Sequence, residues 1–199
     1  MQPTGTAYPA TLTFDAPQRV ANWRPLVNWL LAIPHLLIAS ALRYVSQVVA
    51  VVCWFIILFT GRLPAELANF QIMYLRYYAR AGIFAGFLRE EYPPFAFPMT
   101  AHDPGDDPRL RIDVTPEVAG RNRLTVGFRI ILAIPQLIVL GLLLIAEWFV
   151  LVIALFAVLF TGRWPAGLRD FTVSVLRWWL RVDAYLLLLT DAYPPFELS

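Results

Sequence analysis

The sequence predicts an all-α integral membrane protein made of two tandem repeats. Each is a short transmembrane helical hairpin followed by an amphipathic interfacial helix, with a short N-terminal β-strand placed to pair with its counterpart. Three observations predict this. First, 59% of the 199 residues are hydrophobic, only 15% are charged and the mean hydropathy is +0.61, against roughly 45–50% apolar and about 25% charged in soluble domains. Second, two long apolar stretches, residues 26–59 and 124–160, separate segments rich in arginine. Third, three motifs occur twice at one spacing, the mark of an internal repeat.

Leu31-Ala32-Ile33-Pro34-His35 returns as Leu132-Ala133-Ile134-Pro135-Gln136. Phe59-Thr60-Gly61-Arg62 returns as Phe160-Thr161-Gly162-Arg163, and Tyr92-Pro93-Pro94-Phe95 as Tyr193-Pro194-Pro195-Phe196, all displaced by 101 residues. Upstream, Leu12-Thr13-Phe14-Asp15 answers Leu110-Arg111-Ile112-Asp113 at a displacement of 98. The first repeat is expected over residues 1–98, with strand 11–15, hairpin 26–59 and amphipathic helix 64–89. The second covers 109–199, with strand 110–113, hairpin 124–160 and helix 165–190. Between them residues 99–108, carrying Asp103, Pro104, Gly105, Asp106 and Asp107, read as an exposed, turn-rich linker.

With these motifs the chain resembles the bacterial DUF4389 family, whose members carry the Leu-Ala-Ile-Pro-His, Phe-Thr-Gly-Arg and Tyr-Pro-Pro-Phe elements in one or two copies. The resemblance runs from about Tyr8 to the end. It implies a membrane protein of uncharacterised function and supplies no catalytic residues.

The strands alternate over so few residues that they would need each other, pairing as a small cytoplasmic ribbon that ties the halves together. The apolar stretches are too long for one crossing, which takes about 20 helical residues, and slightly short for two. One solution is a hairpin turning near residues 40–44 and 141–144; the other is a single helix bent at Pro34 and Pro135 that overshoots the bilayer. Arginine placement favours the hairpin. All sixteen basic residues are arginine, and apart from Arg43 and Arg129 they flank the apolar stretches. Hairpins would leave them on one face, which the positive-inside rule makes cytoplasmic. The expected location is therefore the bacterial cytoplasmic (inner) membrane, multi-pass, with both termini cytoplasmic. The first twenty residues hold Pro3, Pro9 and Asp15 without an apolar run, so no cleavable leader is expected there.

Thr60-Gly61 and Thr161-Gly162 fit helix stops, and Pro64 and Pro165 the first turn of a new helix. Arg62 and Arg163 then fall at headgroup level, as snorkelling anchors or lipid-phosphate contacts. In the helices that follow, Arg76, Arg80, Arg177 and Arg181 with Trp178 and Trp179 have the composition of a helix lying in the membrane interface, one edge on protein and the other in lipid. Tyr-Pro-Pro-Phe would end each unit as an extended segment pressed to the surface.

Ionisable groups at membrane depth are costly and so are functional candidates, which singles out Glu147, Arg129 and His35 as a candidate intramembrane polar site. If the hairpin turned at 141–144, Glu147 would be a solvated turn residue; the sharper reading is a proton or ion relay. His35 is replaced by Gln136 in the other unit, as a hydrogen-bonding side chain would be and a metal ligand would not. Cys53 reads as a small hydrophobe, and Glu90-Glu91 and Asp106-Asp107 as solvated loop charges. No nucleophile, phosphate loop or metal cluster is spelled out, so no cofactor and no enzyme activity are expected. Arginines interleaved with aromatics and offset by fourteen acids argue against nucleic acid. The expected partners are membrane lipids and other membrane-protein subunits or further copies of the chain. The expected role is a non-catalytic accessory or scaffold subunit, or a lipid-interacting membrane-shaping module, with a small repeat-built transporter or channel as the alternative.

Overall fold

The computed structural model describes residues 8–198. Its elements run β1 (Ala10–Phe14), α1 (Arg24–Leu31), α2 (Ile33–Thr60), α3 (Ala65–Ala85), β2 (Leu110–Val114), α4 (Arg123–Gly127), α5 (Arg129–Thr161) and α6 (Ala166–Leu186), so the second four repeat the order of the first. The reading of the first twenty residues as lacking a leader falls partly on residues 1–7, outside those described.

The apolar stretches do not fold back on themselves. α2 and α5 continue as helix through residues 40–44 and 141–144, which corrects the hairpin expectation. A turn between antiparallel helices takes about 2–5 residues of Gly, Pro, Asn or Asp type. Residues 40–44 read Ser-Ala-Leu-Arg-Tyr, and Gly141 is followed by three leucines. Nothing there repays the broken helical hydrogen bonds. At 1.5 Å per residue the two helices are about 42 and 50 Å long. Pro34 lies in the first turn of α2, where its missing N–H separates α2 from α1, whereas Pro135 sits inside α5. Gly61 and Gly162 end the helices in the left-handed conformation, at φ 70° and 64°. Pro64 and Pro165 cap the next helices in extended conformation, one residue before the first turn.

Three layers result. α3 folds back antiparallel along α2, and α6 along α5. Along α3, Gln71, Tyr74 and Tyr77 point toward α2, while Arg76 and Arg80 lie roughly opposite on the helical wheel. Those two arginines face the ribbon and linker: Arg76 Nε donates to the Ile112 carbonyl at 3.0 Å, and Arg80 lies 3.9 Å from Asp107. In the other half Arg177 Nε donates to the Leu12 carbonyl at 3.1 Å. The ribbon thus crosses the central helices on the side away from α2 and α5. α3 and α6 meet where Tyr78 stacks on Trp179, centroids 5.0 Å apart. Both pack as inner helices, α3 with thirteen of its 21 residues buried and α6 with nine of 21, so the face expected to pack on protein does so.

β1 and β2 pair antiparallel, Leu12 opposite Ile112. Ala10, Leu12, Phe14, Leu110, Ile112 and Val114 face the core, and Thr11, Thr13, Arg111 and Asp113 face out. Beyond the ladder, the Asp15 N–H donates to Arg109 (2.9 Å) and the Thr115 N–H to Pro9 (2.8 Å). These bonds mirror each other about Leu12 and Ile112, so the strands correspond at a displacement of 100 rather than 98. The halves also interlock: the Val20 N–H donates to Gly162 at 3.1 Å and the Arg121 N–H to Gly61 at 3.3 Å.

The outer layer is the apolar one. α2 and α5 are long and apolar enough to cross a membrane, and only 17% of the residues in their most apolar windows are buried. α2 buries a single seam, His35, Ala39, Ser46, Cys53 and Ile57, and α5 buries the corresponding Gln136, Leu140, Glu147, Ala154 and Val158. Leu37, Val48, Phe55 and Phe59 on α2, and Ile138, Leu142, Trp148 and Phe156 on α5, stay exposed.

Candidate functional site

Three rungs of polar side chains join the outer elements, α1 with α2 in the first half and α5 in the second, to their inner partners, at corresponding positions in both halves. At the lowest, Asn28 Nδ2 donates to the carbonyls of Phe84 (3.2 Å) and Arg89 (3.0 Å). The corresponding Arg129 donates to Tyr185 (3.1 Å) and Thr190 (2.6 Å). On the middle rung His35 Nδ1 and the Tyr77 hydroxyl are 2.8 Å apart, and Trp178 Nε1 donates to Gln136 Oε1 at 2.8 Å. Tyr-Pro-Pro-Phe seals this level: Phe95 stacks on His35, centroids 4.0 Å apart, and Gln136 donates to the Pro194 carbonyl at 2.6 Å. On the upper rung Ser46 and Gln71 bond each other, Gln71 Nε2 also reaching the Ser46 carbonyl at 2.9 Å. Their counterparts are Glu147 and Thr172, whose hydroxyl donates to Glu147 Oε1 at 2.8 Å.

Beside this last rung lies a cavity of about 450 Å³ between α3, α5 and α6, with Arg43 of α2 on its wall. Leucines of α5 (Leu137, Leu140, Leu144, Leu151) supply an apolar side, and Tyr78, Gly82 and Trp179 lie across from them. Arg43, Leu137 and Leu144 are exposed, so the cavity opens onto the apolar outer layer. Glu147 and Asp183 both line it. Glu147 is 9% exposed and its Oε2 has no hydrogen-bond partner. Among the described residues no hydrogen bond or ion pair reaches the Asp183 carboxylate. Burial pushes Asp183 up to about 7, with Arg43 opposing.

The residues singled out in the sequence fall into three places. Arg62 and Arg163 are exposed just past the ends of α2 and α5. Arg76, Arg80, Arg181 and Trp178 are buried, and Arg177 and Trp179 are half-buried. The buried four are core groups and not headgroup contacts, because the ribbon, linker and C-terminal segment cover the side of α3 and α6 that the outer helices leave open. Glu147 is a mid-helix residue and not a solvated turn. It stands apart from Arg129, which is clasped by Asp191 and lies over the Tyr185 ring at 4.0 Å, and from His35 on the opposite helix. The three therefore form no common site.

The linker is also not simply exposed. Asp107 is buried and accepts from Arg89 Nη1 on both carboxylate oxygens, at 2.7 and 2.6 Å, while Asp103 lies 3.7 Å from Arg76. Sequence reading missed Asp183 and set Arg43 aside as a turn residue. The available signal was the comparison of units, in which Asp183 stands where the first has Gly82.

Among the described residues no three His, Cys, Asp or Glu side chains are grouped to hold a metal ion. Fold and site together define a mostly helical protein of two like halves, with an exposed apolar layer and a largely apolar cavity, carrying Arg43, Glu147 and Asp183 on its wall, that opens through it. The chain belongs to the DUF4389 family, described as a domain of unknown function, whose model matches residues 22–96 and again 123–197. Neither the curated proteins nor the solved structures contain a match to it.

Proposed function

We propose that this protein is a non-catalytic membrane module seated along one face of a bilayer, with α2 and α5 immersed side by side as its lipid-contacting layer. One observation carries the reading: the exposed apolar helices and the polar ribbon lie on opposite sides of α3 and α6, at the same height along them. Arg76, which meets the ribbon, falls in α3 between Gln71 and Tyr77, the partners of Ser46 and His35. Were α2 to stand upright across the bilayer, exposed Arg111 and Asp113 would sit near the hydrocarbon centre, where each charge costs a few kcal/mol or more. Laid flat, the same charges face water and the outer helices cover their apolar surface with acyl chains.

This seating also accounts for the arginines. The arginines that flank α2 and α5 then lie at the ends of immersed helices, within reach of headgroups, and no hairpin is required; Arg43, on α2 itself, is the exception. Such a wedge suits an accessory or scaffold subunit, or a protein that alters the leaflet it occupies, in the cytoplasmic membrane of a bacterium. The transporter reading draws on the cavity midway along α5; it requires upright helices and so fails if the flat seating holds.

Asp113→Cys and Val48→Cys variants, with native Cys53 buried, test the seating by labelling with a membrane-impermeant maleimide in reconstituted vesicles. We expect Asp113→Cys to label and Val48→Cys to be protected. Protection of Asp113→Cys in lipid alone overturns the reading.

A further inference from the structure

The two halves also differ at their helix stops. Just past the end of α5 the chain pairs with residues 18–20. The Val20 N–H donates to the Gly162 carbonyl at 3.1 Å, and the Trp164 N–H to the Gln18 carbonyl at 3.0 Å. These two bonds frame Arg19 and Arg163 as a directly opposed antiparallel pair. In a pair framed this way the Cα atoms stand about 4.5 Å apart and both side chains leave on one face. Val20 and Trp164 are buried, so the arginines that alternate with them point outward together, and both are exposed.

Like charges set opposite each other destabilise an antiparallel pair, and neither guanidinium has a hydrogen bond or an ion pair among the described residues. The fold does not require the arrangement. In the first half the equivalent bonds run from the Leu63 N–H to Val118 at 2.9 Å and from the Arg121 N–H to Gly61 at 3.3 Å. The residues they enclose opposite Arg62 are Ala119 and Gly120. Arg19 is therefore a second cation set against the end of α5 with no packing role to explain it. With Arg163, Asn22, Thr161 and Glu90 it lines a recess of about 420 Å³. Glu90 is engaged elsewhere: one carboxylate oxygen accepts from the Ala21 N–H at 2.6 Å, and the other lies 3.9 Å from Arg24. What the pair lacks is an anion with charge and oxygens enough for two guanidinium forks. Phe160, exposed on the last turn of α5, carries the apolar layer to the edge of this recess.

We propose that Arg19 and Arg163 together hold the phosphate of a lipid phosphomonoester, of the phosphatidic acid type, with its acyl chains lying along the exposed phenylalanines of α5. The inference rests on the seating proposed above, which brings the end of α5 to headgroup level. A monoester presents three terminal oxygens and about −1.5 to −2 charges. A phosphodiester headgroup such as that of phosphatidylglycerol has two free oxygens and one charge, and choline adds a cation that the arginines repel.

The test uses the full chain in mild detergent, given equal amounts of phosphatidic acid, phosphatidylglycerol and phosphatidylcholine, with retained lipid read by native mass spectrometry. We expect phosphatidic acid to be favoured about tenfold over phosphatidylglycerol, the equivalent of one further charge-assisted hydrogen bond. Arg19→Gln and Arg163→Gln should each abolish the preference. Arg62→Gln, at the stop with no opposed arginine, should keep it. All three side chains are exposed, and circular dichroism confirms that the variants are folded. Equal retention of the two anionic lipids, a preference that survives Arg19→Gln, or one lost equally in Arg62→Gln overturns the site. Added glycerol 3-phosphate should displace phosphatidic acid only at concentrations far above that of the lipid; displacement at equal concentration assigns the pair to a soluble phosphomonoester and overturns the lipid. Flotation with vesicles separates failure of the site from failure of the seating: a chain that floats without preference loses the site alone, and one that does not float loses the seating.

Discussion

The two halves solve one packing problem with different chemistry. In the first, α1 and α2 are tied down by neutral groups: Asn28 from α1, and the His35–Tyr77 and Ser46–Gln71 pairs from α2. In the second, the same three places hold Arg129, the Gln136–Trp178 pair and the Glu147–Thr172 pair. Reach and placement of the bond are matched while residue identity is not, so the fold demands a polar crossbar at each level rather than a particular side chain. Charge enters the second half beyond that demand. At the base, Asp191 gathers Arg121, Arg129 and the Asn122 N–H, whereas Glu90 in the matching position is half-exposed and meets the Ala21 N–H and, at 3.9 Å, Arg24.

That contrast gives the largest expected effect. Asp191→Ala leaves two buried guanidinium groups without a counter-charge and should cost about 3–5 kcal/mol. Glu90→Ala, at a solvent-screened pair, should cost about 1 kcal/mol or less. Denaturant unfolding in detergent micelles checks both, and equal losses would erase the distinction between the halves. pH sharpens it. Burial raises the Asp191 pKa, but the hydrogen bonds from Arg121 and Asn122 and the charges of Arg121 and Arg129 outweigh it and hold the carboxyl below its ordinary value. Its contribution is therefore full above about pH 4, the unfolded value, and is lost as pH falls through the lower folded value. The Asp191→Ala protein should lack that acid-side decline.

The middle rung tests interchangeability. Tyr77→Phe or His35→Ala alone should cost about 1–3 kcal/mol by leaving a buried partner unbonded. Installing the other half's pair, His35→Gln with Tyr77→Trp, should recover most of that loss; an unrecovered double variant would show that identity matters after all. Smaller again is the difference between the two helix stops. Alanine is strained at both Gly61 and Gly162, but its Cβ at 162 would lie 2.5 Å from Asn22 Oδ1, against 3.4 Å from the Arg123 side chain at 61. Gly162→Ala should thus be the more destabilising by about 1 kcal/mol, the worth of the Asn22–Leu159 bond that must yield. Arg62→Gln and Arg163→Gln should leave the melting temperature unchanged and each weaken binding to anionic vesicles about fivefold, in a salt-dependent way.

The sequence announced the duplication, the glycine stops, the ribbon and, to within a few residues, the ends of the apolar stretches and of α3 and α6, because each is written in local residue type. It misled where the outcome depends on what else packs nearby. The arginine distribution was accounted for by folding each apolar stretch double, whereas α2 and α5 each run on as one helix through the expected turn. α3 and α6 carry the aromatic and arginine pattern of a surface helix, yet their arginines are paid for by backbone carbonyls of the ribbon and by linker aspartates distant in sequence. Asp183 drew no attention because its meaning lies in a cavity assembled from three helices.

The exchange of strand and loop contacts between halves has one more consequence. Val20 and Gln18 dock on the end of α5, and Val118 and Arg121 on the end of α2, so neither half completes its own edges. A nick at Pro104–Gly105 should leave two fragments that remain associated and reassemble when expressed separately. By the same logic, a polypeptide holding a single such half would find its missing edge only on another molecule.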